Sequence, residues 1–299
     1  MGINNYHLYL FDYFSKKKPF NKTITIGRQK LMVSRDMQYK YAISINDFNS
    51  YSEKVLINNF NAESCESLDI SDYENPSYII DVTKENNTPI DKFDTVIDTG
   101  SLEHMANPYN ALNNYKKMCK INGQIILSLP NNNQSGHGFY QISSDLLFAF
   151  FSKKNGFVES ECYLCDWSDS ARLLPKYVYE VKYEDIKDRL DIYSKVPVCI
   201  FFKTVKKSEI NTGELTQPYY ETILKNKDSR KRVIEKNNLF EKIKKNKFFI
   251  YINIFLKHLG FKLLELHNNY FKNRIFFSKS IKPKKILIKD FLNNKKTQK

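Results

Sequence analysis

The segment spanning residues 93–140 constrains the fold of this chain more than any other part of the sequence. An apolar run, Thr95-Val96-Ile97, ends at the polar turn Asp98-Thr99-Gly100, and a helical pattern follows. A second apolar run, Gln124–Leu129, leads into a polar loop that holds two glycines, a histidine and a tyrosine. This pattern predicts a βαβ unit, and open α/β sheets bind ligands at the carboxyl ends of their strands. We therefore expect the functional site at these two strand ends.

Shorter apolar runs elsewhere predict the remaining strands. A leading amphipathic helix is expected over residues 3–20, where apolar side chains recur at helical spacing. The other predicted strands are Lys22–Gly27, Ser67–Ile70, Tyr78–Val82, Phe157–Cys165 and Val196–Thr204, with a charged helical segment at 180–194. The alternation of strands and helices predicts an α/β fold, with a mostly parallel sheet and helices on both faces.

The positive charge of the chain is concentrated in its last third. Residues 206–299 hold 24 of the 47 Lys and Arg residues and 8 of the 33 Asp and Glu residues, a net charge of +16, which leaves −2 for residues 1–205. The sequence therefore predicts two parts: an α/β domain at 1–205 and a basic helical extension at 206–299.

Within the extension, residues 248–266 are strongly apolar but interrupted by polar and charged residues. A membrane span needs about 20 predominantly apolar residues, so a spanning helix is not expected. A basic amphipathic helix on a membrane surface fits the pattern. Packing against the domain or a partner chain fits it as well. The sequence does not predict an oligomeric state.

The five cysteines suggest a reducing compartment and no disulfide framework. Cys162 and Cys165 form a CxxC pair, but on a strand their side chains point to opposite faces, so no metal site is predicted. No signal peptide is visible. The expected location is the cytoplasm, with membrane association through 248–266 as an addition.

Three motifs within residues 23–206 resemble class I S-adenosylmethionine-dependent methyltransferases. The stretch 98–104, followed by Asn107-Pro108, is similar to the motif after their fourth strand, and 123–130 resembles their fifth strand. The stretches 131–133 and 136–141 resemble a subgroup encoded in bacterial surface-polysaccharide gene clusters. The resemblance implies a Rossmann-like, doubly wound sheet of seven strands, S-adenosylmethionine as the cofactor, and a small-molecule or glycan acceptor in polysaccharide biosynthesis.

The resemblance also implies which residues contact the cofactor. They are Gly27, Arg28, Asp69, Asp72, Asp81, Asp98, Thr99 and Gly100. Family members usually carry a GxGxG turn after the first strand, whereas this chain has Gly27-Arg28-Gln29. Arg28 can pair with the cofactor carboxylate, close the site, or lie on the surface. Asp69 and Asp72 are alternatives for the ribose, and either can instead cap a helix.

For catalysis the candidates are His137, His104 and Tyr140, which lie in the predicted site region. A histidine of ordinary pKa accepts a proton at neutral pH, as a hydroxyl acceptor requires. His137 lies between two glycines and is expected to act as the base or to contact the substrate. His104 begins a helix, where packing or capping is the alternative role. Tyr140 is expected to bind a sugar hydroxyl, unless it belongs to the core.

Two other functions compete with a small-molecule methyltransferase. The missing GxGxG turn fits a catalytically inactive methyltransferase fold that serves as a binding or assembly module. The basic extension fits a nucleic-acid methyltransferase that grips phosphates. The latter is disfavoured because the chain shows no zinc module, RNA-binding signature or NPPY-type motif.

Overall fold

The computed structural model describes residues 2–44, 51–84, 88–183, 190–210, 212–220, 255–256, 258–260, 275–277 and 283–293. Within these ranges the strands are β1 (Gly2–Ile3), β2 (Asn21–Ile26), β3 (Lys30–Leu31), β4 (Ala62–Asp69), β5 (Tyr78–Ile79), β6 (Phe93–Asp98), β7 (Cys119–Asn132), β8 (Phe157–Asp166), β9 (Tyr177–Val181), β10 (Ile192–Ser194), β11 (Val198–Lys206), β12 (Ile275–Phe277) and β13 (Lys284–Leu287). The helices are α1 (Asn5–Lys17), α2 (Arg35–Lys40), α3 (Glu53–Phe60), α4 (Pro108–Met118), α5 (Ser144–Phe150), α6 (Asp169–Leu173) and α7 (Asp290–Asn293).

A nine-stranded sheet with the order β13-β9-β8-β11-β7-β6-β2-β4-β5 organises the described residues. Strands β2, β4, β5, β6 and β7 run parallel, and their spatial order in terms of chain order is the 3-2-1-4-5 arrangement of doubly wound sheets. Strand β11 runs antiparallel between β7 and β8. The predicted fold class is confirmed, and β9 and β13 extend the seven expected strands at one edge.

Helices cover both faces of this sheet. Helices α4 and α5 pack on one face, and α1 and α3 pack on the other. The central strand β6 therefore buries Val96 in one core and Ile97 in the other, as expected of a strand buried on both sides. The side chain of Cys162 likewise lies in the first core and that of Cys165 in the second, which confirms that they point to opposite faces of the sheet.

Two expectations about the later part of the chain need correction. The predicted helical segment at 180–194 includes the end of β9 and all of β10, and its residues 184–189 lie outside the described ranges. The extension is not purely helical, since β12 pairs with β10 and β13 pairs with β9. Charged residues in these stretches concealed the strand pattern, which depends on pairing with distant segments.

Most of the segment 248–266 lies outside the described residues, as do the charged residues 221–247. No helix in the described part of the chain is both long and apolar enough to span a bilayer. The leading helix is confirmed as α1.

A buried histidine, His7, takes part in capping the N-terminus of α1. The Asn4 side chain accepts a hydrogen bond from the Tyr6 backbone N–H, and Nδ1 of His7 accepts one from the Asn4 N–H at 3.0 Å, which forms a capping box. The imidazole packs edge-on against Trp167 and Phe201, with ring centroids 5.6 Å and 4.9 Å away. Burial lowers the pKa of His7 to about 3, because the charged ring would lose its hydration.

We expect His7 to make the free energy of unfolding fall as the pH drops from about 6.5 towards about 3. In this window the unfolded chain takes up a proton on His7 while the folded chain does not. The slope contributed by His7 is at most about 1.4 kcal/mol per pH unit. His7→Gln keeps an acceptor at the capping-box position but cannot titrate, so its stability should lack this slope.

The measurement is urea unfolding of both proteins at a series of pH values, followed by the fluorescence of Trp167, the single tryptophan. A stability difference between the two proteins that stays constant from pH 7 down to about pH 4 would contradict the assignment.

Candidate functional site

The carboxyl ends of β2, β4 and β6 meet at one edge of the sheet. Gly27, directly after β2, has a φ of 71°, in the left-handed region that favours glycine. A Cβ at this position would lie 2.9 Å from Oγ of Ser101 and 3.9 Å from Oδ2 of Asp69. The Ser101 hydroxyl donates a hydrogen bond to the Ile26 carbonyl at 2.9 Å. Of the residues predicted to contact a cofactor, the structure thus places Gly27 and Asp69 side by side.

The Arg28 side chain connects three segments of the chain through hydrogen bonds. Its Nε donates to Oε1 of Glu53 at 2.7 Å, and its Nη1 donates to the carbonyls of Glu74 and Asn75 at 2.8 Å and 3.1 Å. The guanidinium also lies 4.0 Å from the centre of the Tyr51 ring. Pairing of Arg28 with a cofactor carboxylate stays a prediction, and it would require exchange of the Glu53 partner.

Asp72 and Asp81 follow β4 and β5, which pair in parallel at the same edge of the sheet. Asp72 is exposed in the loop after β4. Asp81 accepts hydrogen bonds from the hydroxyl and backbone N–H of Thr83, and Nζ of Lys84 lies 3.4 Å away. The Thr83 hydroxyl, followed by its N–H and Lys84, holds the pKa of Asp81 below its usual range. Asp81 therefore caps a turn, and its contact with the cofactor stays a prediction.

Asp98 is fully buried beneath the turn after β6. Its carboxylate accepts hydrogen bonds from the backbone N–H groups of Gly100, Ser101 and Leu102 at 3.0, 2.7 and 3.1 Å, and from the Tyr115 hydroxyl at 2.8 Å. Burial raises the pKa of Asp98, although these donors oppose the shift. This carboxylate therefore holds the turn from within, and the contact of Asp98 with a cofactor stays a prediction.

A cleft of about 490 Å³ opens beside this turn. The turn after β6 lines one side of the cleft with Thr99, Gly100 and Glu103, and the loop after β7 adds His137. The opposite side is formed by residues that follow β8, which are Trp167, Asp169 and Arg172. Strand β7 itself contributes Ser128-Leu129-Pro130. A volume of this size is typical of small-molecule sites. Oγ1 of Thr99 and Nε of Arg172 are buried and have no hydrogen-bond partner among the described residues, so a bound ligand can satisfy both.

Glu103 forms a cluster with the two predicted histidines at the cleft wall. Its Oε1 lies 3.6 Å from Nε2 of His137 and 3.9 Å from Nε2 of His104. Within the described residues neither carboxylate oxygen has a hydrogen-bond partner. Burial raises the pKa of Glu103 to about 8, and the neighbouring Asp98 carboxylate adds to the rise. Burial also lowers the pKa of His104, with a smaller contribution from His137.

Glu103 is a candidate functional residue that the sequence pattern did not reveal. It stands directly before His104 in the motif at 98–104, but only the fold shows that its side chain is buried against His137, 34 positions later in the chain. A carboxylate beside a histidine in a strand-end loop is the signal that could have identified it.

The loop that carries His137 is docked on the Glu103 turn. The N–H groups of Phe139 and Tyr140 donate to the Glu103 carbonyl at 2.7 Å and 3.3 Å. Gly138 permits this approach, because a Cβ there would lie 2.8 Å from the same carbonyl oxygen. The Tyr140 hydroxyl donates to a backbone carbonyl at 3.1 Å and does not line the cleft. Tyr140 therefore anchors the loop, and its contact with the acceptor stays a prediction.

Comparisons with known proteins give likenesses among solved structures. No family model matches the chain, and no curated protein matches it. The N-methyltransferase NodS from Bradyrhizobium japonicum, in complex with S-adenosyl-L-homocysteine, is 10% identical with a TM-score of 0.41, over 69% of this chain and 89% of that chain. A SAM-dependent methyltransferase from Archaeoglobus fulgidus is 12% identical with a TM-score of 0.39, over 67% and 94% of the two chains.

Proposed function

We propose that this chain is an S-adenosylmethionine-dependent methyltransferase that methylates a hydroxyl group of a small-molecule or glycan acceptor. The observation that carries the proposal is the cleft at the carboxyl ends of parallel strands. This cleft combines the turn Thr99-Gly100, in which Gly100 has a φ of 109°, with the Glu103–His137 pair. A binding turn beside a proton acceptor is the arrangement that methylation of a hydroxyl requires.

The residues at the strand ends fit the cofactor. Oε1 of Gln29 and Oγ1 of Thr99 are buried and unpartnered within the described part of the chain, and both are suitable acceptors for an ammonium group. Asp69, half-buried beside Gly27, is a suitable acceptor for ribose hydroxyls. When bound, S-adenosylmethionine supplies a methyl group that its sulfonium centre has already activated.

The chain's own residues then have three tasks. The cleft walls align the acceptor with the methyl group and exclude water. His137 accepts the proton that the acceptor hydroxyl loses, and an ionised Glu103, whose Oε1 lies 3.6 Å from Nε2 of His137, stabilises the protonated imidazole. Arg172 offers its unpartnered Nε–H to an acceptor oxygen, beside the Trp167 ring. A polar and aromatic wall of this kind supports a sugar acceptor, as the resemblance to polysaccharide-cluster proteins also does.

Calorimetric titration with S-adenosylmethionine and S-adenosylhomocysteine tests the proposal. We expect the purified chain to bind both, and Asp69→Asn to weaken binding about tenfold or more, which is about 1.4 kcal/mol. Asp72→Asn is the matched control, since it makes the same change in the same loop at an exposed position and should alter the affinity less than about twofold.

The absence of binding to either compound would overturn the proposal in favour of an inactive binding or assembly module. The hydrogen bonds of Arg28 favour the inactive module as the second candidate function, because they connect the loop after β2 to residues 74 and 75. Equal weakening by both aspartate substitutions would reject Asp69 as the ribose ligand.

A further inference from the structure

We infer that Glu103, His104 and His137 form a binding site for a divalent transition-metal cation on the wall of the cleft. A carboxylate oxygen of Glu103 and one ring nitrogen from each histidine all lie within 4.8 Å of one another. A cation bound at about 2.0–2.2 Å from such ligands holds them roughly 3.3 Å apart. The observed separations of 3.6 Å and 3.9 Å from Oε1 of Glu103 need little closure.

The charge around Glu103 is the reason to expect a cation. Its side chain is only 1% exposed, and both oxygens lack a hydrogen-bond donor among the described residues. The second buried carboxylate, Asp98, is saturated by its own four donors. No described Lys or Arg forms an ion pair with either carboxylate, and Arg172, which lines the same cleft, pairs with Asp169. Ionisation of a buried carboxyl group that has no partner is unfavourable, and a bound cation removes that penalty.

The protein holds the three ligands in place through the backbone. Glu103 and His104 belong to one short helical turn, Leu102–His104, which Asp98 caps. His137 belongs to the loop whose N–H groups bind the Glu103 carbonyl. The two histidine side chains are 45% and 46% exposed, so a cation can reach them from solvent and the rings can turn towards it.

The ligand set selects the class of metal. Two imidazoles and one carboxylate suit Zn²⁺ and other first-row transition metals, whereas Mg²⁺ and Ca²⁺ prefer all-oxygen sites. Three protein ligands leave coordination positions open towards the cleft. The catalytic consequence rests on the proposed function: an acceptor hydroxyl bound there would lose its proton to cleft water more readily, and His137 would act as a ligand in place of a base.

The test is a titration of the full chain, freed of metal by dialysis against a chelator, with Co²⁺ alone, followed by visible absorption. We expect about one Co²⁺ per chain with the intense absorption of a low-coordinate site, and competition by Zn²⁺. Glu103→Gln, His104→Ala and His137→Ala should each weaken binding at least about tenfold. His258→Ala, which removes an exposed histidine outside the cluster, should leave the affinity unchanged.

Circular dichroism spectra identify any variant that fails to fold, and the exposed positions of His104 and His137 make these two the decisive variants. The inference is overturned if Co²⁺ binds the His137→Ala and His104→Ala proteins as tightly as the wild type, or if no stoichiometric binding occurs. A chain that binds S-adenosylhomocysteine but not Co²⁺ keeps the proposed function and loses the metal site. A chain that binds Co²⁺ but not S-adenosylhomocysteine keeps the metal site and loses the proposed function.

Discussion

Replacement of His137 by alanine is expected to lower kcat/KM for methyl transfer by about 100-fold to 10,000-fold, the usual contribution of a positioned proton acceptor. The affinity for S-adenosylhomocysteine should stay unchanged, because Thr99 and Gly100, on the same side of the cleft, remain intact. The loss is expected whether His137 accepts the proton itself or holds a cation that activates the hydroxyl. The measurement combines turnover with calorimetric titration of the same variant.

Two glycines in the same loop provide the controls. A Cβ at Gly136 would meet nothing within 4 Å, so Gly136→Ala should retain full turnover. A Cβ at Gly138 would lie 2.8 Å from the Glu103 carbonyl oxygen, so Gly138→Ala should displace the loop and reduce turnover. Wild-type turnover in His137→Ala would remove this residue from catalysis, and equal loss in Gly136→Ala would reduce its effect to general disturbance of the loop.

Removal of the Asp98 carboxylate is expected to lower the free energy of unfolding by about 3 kcal/mol or more in Asp98→Ala. The substitution leaves three backbone N–H groups and one phenol without their acceptor in a buried place. Tyr115→Phe removes only one of the four donors and should cost about 1–2 kcal/mol. Urea unfolding followed by Trp167 fluorescence measures both. If Asp98→Ala costs no more than Tyr115→Phe, the carboxylate does not hold the turn.

The parts of the fold that the sequence predicted are those with strong local signals. Strand β6 and helix α4 follow from an apolar run, a polar turn and a proline at the first helical position. The location of His137 at the cleft follows from the general rule that ligands bind at carboxyl strand ends. Each of these depends on residues close together in the chain.

The remaining features depend on contacts between distant residues. The ion-pair partner of Arg28 is Glu53, 25 positions later in the chain. The Glu103 side chain becomes buried only when the loop that carries His137, 34 positions later, packs over it. Strand β13 pairs with β9 about a hundred residues earlier, and its two lysines conceal the pattern of a strand. Local patterns cannot report such pairings, because burial is decided by the assembled sheet.

The basic extension also has a consequence for solubility. Among the described strands, β13 occupies an outer edge of the sheet, and such an edge is a ready template for addition of a strand from another molecule. That strand contains Lys284 and Lys285, which are both exposed. Nζ of Lys285 lies 4.0 Å from the centre of the Tyr177 ring. Charge on an outermost strand opposes fibre-like stacking of one molecule on the next. We therefore expect part of the charge of the last third to protect the chain against self-association, a role that needs no binding partner.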